Sequence, residues 1–325
     1  MALERLWYRF EQIVVKKPSL SIGLPVYNGE RYLPKALESL LGQDFEDFEL
    51  IISDNGSSDQ TEAICRNFAR KDRRIRYVRS DENRGVSWNF RRVFELSGGE
   101  FFKYAAYDDE CYPTMVGRCM EVFRSCDPTV ALVYTLSERI DENSTVIRQK
   151  GGFNWDRVAT AAKTAHARLA HIIWRAVHGQ AHYGVIRASF LRRARPYGCI
   201  RPDWMLLAEL GMMGKIIEVP EVLFRLRIHP ANTWNATSTP REILNLLNPA
   251  AKGLEKVLPL RIANMKSVGH SALPLNEKML CLAVAGIVPP LRNLWLWSVR
   301  TSGPTRKRLR QLTGWRALCP SADVR

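Results

Sequence analysis

Tyr27, Asn28, Asp54 and Asp108 each stand just after a short apolar run, in segments whose residue types could do chemistry together. Pro25-Val26-Tyr27-Asn28-Gly29 closes the first such run. Asp54-Asn55-Gly56-Ser57-Ser58-Asp59 closes the second, and Tyr107-Asp108-Asp109-Glu110 follows the fourth. Asn, Gly, Ser and Asp are also turn formers, but three ends that each add aromatic, amide or carboxylate groups exceed what turns need. Tyr27 can stack on a base, and Asp54 can accept a hydrogen bond from a base imide N–H. Asp108 is a hard oxygen ligand suited to Mg²⁺ or Mn²⁺. A divalent ion bridging two phosphates would neutralise charge on a departing diphosphate. The chain has no G-x-x-x-x-G-K-[ST] loop and no G-x-G-x-x-G after the first run, which argues against P-loop and dinucleotide sites.

The elements that must position these groups alternate. Leu20–Pro25 reads as a strand, and Leu33, Ala36, Leu37, Leu40 and Leu41 recur at helical spacing before Gly42. Phe48–Ser53 is a second strand. Asp59 with Glu62 starts a helix whose stripe is Thr61, Ile64, Cys65, Phe68 and Ala69. Ile75–Val78, Phe101–Ala106 and Val130–Thr135 are further strands, with helices at Val86–Leu96 and around Val116–Phe123. This order predicts a mostly parallel sheet with helices on both faces. Its ligand belongs at the carboxyl ends of the strands. Beyond it the pattern predicts a hairpin at Ser137–Arg148, a long helix over Asp156–Val177, a strand at Ala181–Ile186, a helix at Trp204–Met213, and a strand at Lys215–Val219 ending at Pro220.

Hydrophobic residues are 46% and charged residues 25% of the chain, an ordinary globular composition. Seven scattered cysteines with no C-x-x-C pair support neither a zinc site nor a disulfide framework and fit a cytoplasmic compartment. The net charge is +15, and residues 235–325 carry 14 Lys/Arg against 4 Asp/Glu. The longest apolar stretch, Met279 to Leu291, is too short to span a bilayer as a helix.

The runs SIGLPVYNGERYLPKALESLLGQDFEDFELIISDNGSSDQT, ENRGVSWNF and FFKYAAYDDECYP, continued to Arg227-Ile228-His229-Pro230, resemble the GT-A fold glycosyltransferases of family 2. The likeness covers about residues 18–235. It implies a GT-A, Rossmann-like α/β domain there; residues 1–17 are left as an N-terminal extension, and the lost rhythm and the charge after about Asn235 predict a basic helical region over 236–325. It also implies inverting transfer of a sugar from a nucleotide-diphosphate donor, with UDP the expected nucleotide, onto a glycan or lipid-linked acceptor, as in polysaccharide biosynthesis. By resemblance, Pro25, Tyr27 and Asn28 contact the nucleotide, and Asp54 reads the base. Asn83, Gly85 and Asn89 lie near ribose and diphosphate. Asp108 matches the last residue of an Asp-x-Asp motif that holds Mn²⁺ or Mg²⁺, while its first position is Ala106. Asp109 is expected to support the loop.

Inverting transfer needs a general base for the acceptor hydroxyl. Asp203, in Arg201-Pro202-Asp203-Trp204, matches the family's base position, with Pro202 where an acidic residue usually stands. His229 is expected on the metal or phosphate, partly offsetting Ala106. Arg225 and Arg227 either aid the diphosphate or form an exposed basic face. Gly179–Gly184, with Trp155 and Trp174, is expected to shape the acceptor pocket. The remaining histidines have no metal-ligand spacing.

In the tail, Trp295 and Trp297 beside Arg292 and Arg300, then Thr305–Arg310, suit a helix lying peripherally on an anionic membrane over 279–325. A helical extension packed on the catalytic domain is the other reading. No nucleic-acid fold accompanies the charge, so no nucleic-acid partner is expected. Two further alternatives stand. A sugar nucleotidyltransferase would want a basic Gly-rich loop after the first strand, which PVYNGERYLP lacks. A degenerate nucleotide- or glycan-binding module is kept open by Ala106 and Pro202.

Overall fold

All seven residues of the first strand, Leu20–Val26 (β1), are buried, as a strand covered on both faces requires. The computed structural model describes residues 17–148, 157–176, 179–194, 202–230 and 260–301. The N-terminal extension before Lys17, Trp155, His178, and the Thr305–Arg310 run lie outside them, as do the side chains of Trp295, Trp297 and Arg300.

In chain order the elements continue with α1 (Leu33–Leu41), β2 (Phe48–Asp54), α2 (Thr61–Lys71), β3 (Ile75–Arg79), α3 (Val86–Glu95) and β4 (Phe101–Tyr104). Next come β5 (Glu110–Cys111), α4 (Met115–Ser125), β6 (Val130–Ile140), α5 (Ala165–Arg175), β7 (Val185–Arg187), α6 (Ala188–Leu191), α7 (Pro202–Met213) and β8 (Lys215–Arg227). Two C-terminal helices follow, α8 (Leu260–His270) and α9 (Leu275–Thr301).

The strands form one eight-stranded sheet in the order β3-β2-β1-β4-β7-β6-β8-β5. The first four run parallel in the register Leu20↔Phe48, Val26↔Asp54, Asp54↔Arg79 and Leu20↔Phe101. That register brings the loops leaving β1, β2 and β4 to one rim. One face packs on α1 and α4 through Leu33, Leu37, Met115 and Phe123. The other packs on α3, α5 and α7 through Val93, Ile172, Leu206 and Leu210.

The second half departs from the sequence pattern in four places. β7 runs antiparallel to β4 and β6, and β5 antiparallel to β8, so the sheet is mixed beyond β4. The long helix is confined to Ala165–Arg175, because the chain before it is tied to strands: Tyr134 Oη accepts the N–H groups of Val158 and Ala159, and Thr160 pairs with Ile216. Residues 180–183 form a 3₁₀ turn rather than a strand, with His182 N donating to Gly179 O. β8 continues through Pro220, whose missing N–H falls where the register to β6 jumps from Thr135↔Val219 to Leu136↔Val222. The Ser137–Arg148 turn does double back, with an Ile140↔Val146 bridge.

α8 and α9 pack on α5 and α7, Val268 and Cys281 meeting Leu169, Ile173, Ala208 and Met212. Among the described residues no helix is long and apolar enough to cross a membrane.

Candidate functional site

The loops after β1 and β2 are laced by side chains that the sequence places at strand ends. Asn28 adopts a left-handed backbone (φ 50°), its N–H donating to Ser57 Oγ at 2.9 Å and its Oδ1 accepting from Ser58 N at 2.9 Å. Gly29 N donates to Thr61 Oγ1 and Glu30 N to Asp59 Oδ2. Asn55 ties in the next segment: its Nδ2 donates to Asn83 Oδ1 (2.9 Å) and Gly85 O, and its Oδ1 accepts from Arg84 N. Asn89, buried in α3, donates to Val26 O and Ser53 O. Pro25 is buried at the end of β1, Tyr27 is 41% exposed at the rim and Asn83 is exposed. The expected nucleotide-side residues Pro25, Tyr27, Asn28, Asn83, Gly85 and Asn89 thus converge on one rim.

Asp54 lies at the expected strand end but is fully buried. Oδ1 accepts from Ser57 N at 2.9 Å, Oδ2 from Tyr77 Oη at 2.8 Å, and Arg79 Nε is 3.4 Å away. Both oxygens are thus engaged with the fold, each by one hydrogen bond, and Asp54 supports the loop. The Tyr77 hydroxyl is pushed up by its burial and by that carboxylate.

The β4 end carries Asp108, half-buried, whose Oδ2 is 3.0 Å from His229 Nε2. The His229 ring is buried against Tyr32, centroids 4.6 Å apart. Asp109 faces inward and accepts from Arg227 N at 2.9 Å, the loop-supporting role expected of it. Burial, then the neighbouring Asp108 charge, pushes its carboxyl well up, against the pull of Arg227 and Lys103.

Arg227 is 1% exposed. It donates to Asp108 O and Asp141 O, each at 2.7 Å, to Ser144 Oγ, and to Glu110 Oε1 in a buried ion pair. Arg225 pairs with Glu110 and Glu138. The exposed basic face considered for these two cations does not form, because β5 and the 141–145 turn cover it and supply carboxylates and carbonyls.

Asp203 opens α7 and rests on Gly179, where an added Cβ would lie 2.1 Å from Asp203 Oδ2. Gly179 takes φ +77°, a conformation glycine adopts without strain. Tyr183, in the same turn, is held well above the ordinary phenol value by burial and then by the charges of Asp109, Asp108 and Asp203. Lys103, fully buried in β4, links the two sides, Nζ donating to Tyr183 O at 2.6 Å and Tyr104 O at 3.2 Å. Such burial is costly for an ammonium unless its donors are satisfied.

The roles of Lys103, Tyr32 and Asn55 escape the sequence reading. A lysine inside the apolar run Phe101-Phe102-Lys103-Tyr104 is the one local signal for any of them.

The family model described as glycosyl transferase family 2 matches residues 21–192, more than half of the chain. The chain belongs to glycosyl transferase family 2. Chondroitin synthase of Escherichia coli is 30% identical over 164 residues, 50% of this chain and 23% of that protein. A Campylobacter jejuni GalNAc(5)-diNAcBac-PP-undecaprenol β-1,3-glucosyltransferase is 36% identical over 94 residues, 29% of this chain and 30% of that protein. The matched stretches thus span less than a third of either relative. The crystal structure of S. aureus TarS 1–349 in complex with UDP-GlcNAc aligns with a TM-score of 0.61 at 15% identity, covering 91% of this chain and 76% of that one. That likeness bears on the fold, and it agrees with the GT-A architecture expected of a family 2 enzyme.

Proposed function

We propose that this family 2 glycosyltransferase transfers a sugar with inversion from a UDP-sugar to a glycan or lipid-linked acceptor hydroxyl. The observation that carries the reading is the convergence of the laced β1 and β2 loops with the Asp108–His229 pair at one end of the sheet. The named ligand of TarS, UDP-GlcNAc, and the undecaprenol-linked name of the C. jejuni relative point the same way for donor and acceptor class.

One carboxylate and one imidazole suit a Mn²⁺ or Mg²⁺ ion that takes its other ligands from water and substrate phosphates. Among the described residues no group of three or more ligating side chains occurs. Asp108 and His229 would hold the ion, and when bound it would neutralise charge on the leaving diphosphate.

In the proposed site Tyr27 stacks on the base, and Asp54 acts as a positioning residue that fixes the turn beneath it. The acceptor oxygen attacks the anomeric carbon while the bond from that carbon to the diphosphate oxygen breaks, its electron pair leaving with the UDP. Asp203 takes the acceptor proton, and Gly179 and Tyr183 hold that carboxylate's surroundings.

Calorimetric titration with UDP in Mn²⁺, then in EDTA, and again with Asp108→Asn, tests the reading. Binding that needs the metal and is lost in the variant is the expected result. No UDP binding in either condition would overturn the UDP assignment.

A further inference from the structure

Among the described residues nine large hydrophobic side chains are exposed, and seven of them sit on the two C-terminal helices. They are Ile262 and Met265 on α8, and Leu275, Met279, Leu280, Ile287 and Leu291 on α9, with Leu275 75% exposed. At 3.6 residues per turn the α9 set falls on the side opposite Cys281, Ala285 and Arg292, which are buried. α9 is therefore amphipathic in reverse as well: it presents one apolar side to the protein and a second to the outside.

Residues 260–301 hold five Lys/Arg and a single acid, Glu277. That acid is turned onto α5, where it accepts from His166 N at 3.2 Å and lies 3.0 Å from His166 Nδ1. Of the cations, Arg292 is buried on the far side and Lys278 is half-buried. Arg261 and Lys266 are exposed beside Ile262 and Met265.

We propose that α8 and α9 form a seat on an anionic lipid surface, which holds the acceptor side of the catalytic domain against that surface. The second clause rests on the transferase reading above. Charge selects the occupant. A second copy of the same face would bring cation against cation, and a soluble polyanion would leave the leucines in water. A bilayer interface with anionic headgroups accepts both the apolar side chains and the cations. The helices would lie in that interface, since neither is apolar enough to cross it.

The seat is wired to the acceptor side. Ser267 Oγ donates to Glu209 of α7. Arg292 of α9 donates to Ala176 O at 2.7 Å, its guanidinium 5.2 Å from the ring of Trp204, the residue after Asp203.

The test is co-sedimentation of the full chain with phosphatidylcholine vesicles, with and without phosphatidylglycerol, for the wild type, Leu275→Ser/Met279→Ser/Ile287→Ser and Arg261→Glu/Lys266→Glu. Light scattering and UDP calorimetry are run on each. The expected result is binding only to the anionic vesicles, weakened about tenfold or more in each variant, with UDP binding unchanged. An apolar variant that binds as well as wild type would overturn the seat, and so would a wild-type dimer dissolved by that variant. If no protein binds UDP, the donor assignment falls while the vesicle comparison still decides the seat.

Discussion

His229 Nε2 stands 3.0 Å from Asp108 Oδ2 across 121 residues of chain. The approach is enforced two residues earlier, where Arg227 binds the Asp108 carbonyl with its side chain and the Asp109 carboxylate with its N–H. β8 thus delivers an imidazole to a rim built otherwise by the first four strands.

His229→Ala should weaken UDP binding in Mn²⁺ by about tenfold or more, since loss of even an outer partner of a metal commonly costs about 10–100-fold. Calorimetry in a Mn²⁺ series measures it. An unchanged Mn²⁺ dependence would place His229 outside the metal's reach.

Asp203→Asn should lower kcat by about 10² to 10⁴, the share general-base catalysis commonly supplies, with UDP binding intact. Gly179→Ala tests the same carboxylate from below. Its Cβ would collide with Asp203 Oδ2 in a left-handed conformation, at about 1–2 kcal/mol in stability and a loss in kcat. Full turnover in Gly179→Ala would show that the contact does not set the position of Asp203.

Arg227→Met should destabilise by about 1–3 kcal/mol for each buried acceptor it leaves unsatisfied, because the Asp108 and Asp141 carbonyls lose this donor and Glu110 keeps only Arg225 as its cation. Arg225→Met, at a half-buried site, should cost less. The two denaturant midpoints rank them, and the reverse order would contradict the burial argument.

Acid should loosen α9. The His166 hydrogen bond is the main lowering influence on the Glu277 carboxyl, which lies below its ordinary value of 4.5. A lowered acid favours the native state above that value, and its contribution is lost as pH falls through the native one. Glu277→Gln should therefore flatten the fall in thermal stability below about pH 4.5. An unchanged acid limb would mean the pair contributes nothing to docking.

The parallel half is legible because each β-α unit is local. Leu33, Leu37 and Leu40 declare a helix face within nine residues, and the strand ends that follow declare the rim. The second half is less legible because its partners are distant. Nothing near Thr160 announces that Ile216 will take its N–H, and nothing near Pro220 announces a bulge opposite Thr135. Asp54 is legible in position only. Its place comes from the motif, whereas its partners Tyr77 and Arg79 enter from another strand.

β4 also sets an order of assembly. Its inner edge pairs with β1, made earlier in the chain, but its outer edge waits for β7, about 80 residues later. At roughly 5–20 residues per second of synthesis, that edge stands open on the ribosome for several seconds as an apolar strand ready to pair with a neighbouring nascent chain. Lys103 lies in the middle of that edge. Its charge makes a stranger's strand a poor partner until Tyr183 arrives with the carbonyl that receives it. The ammonium that would deter such pairing is the one that ties β4 to the Tyr183 turn in the folded chain.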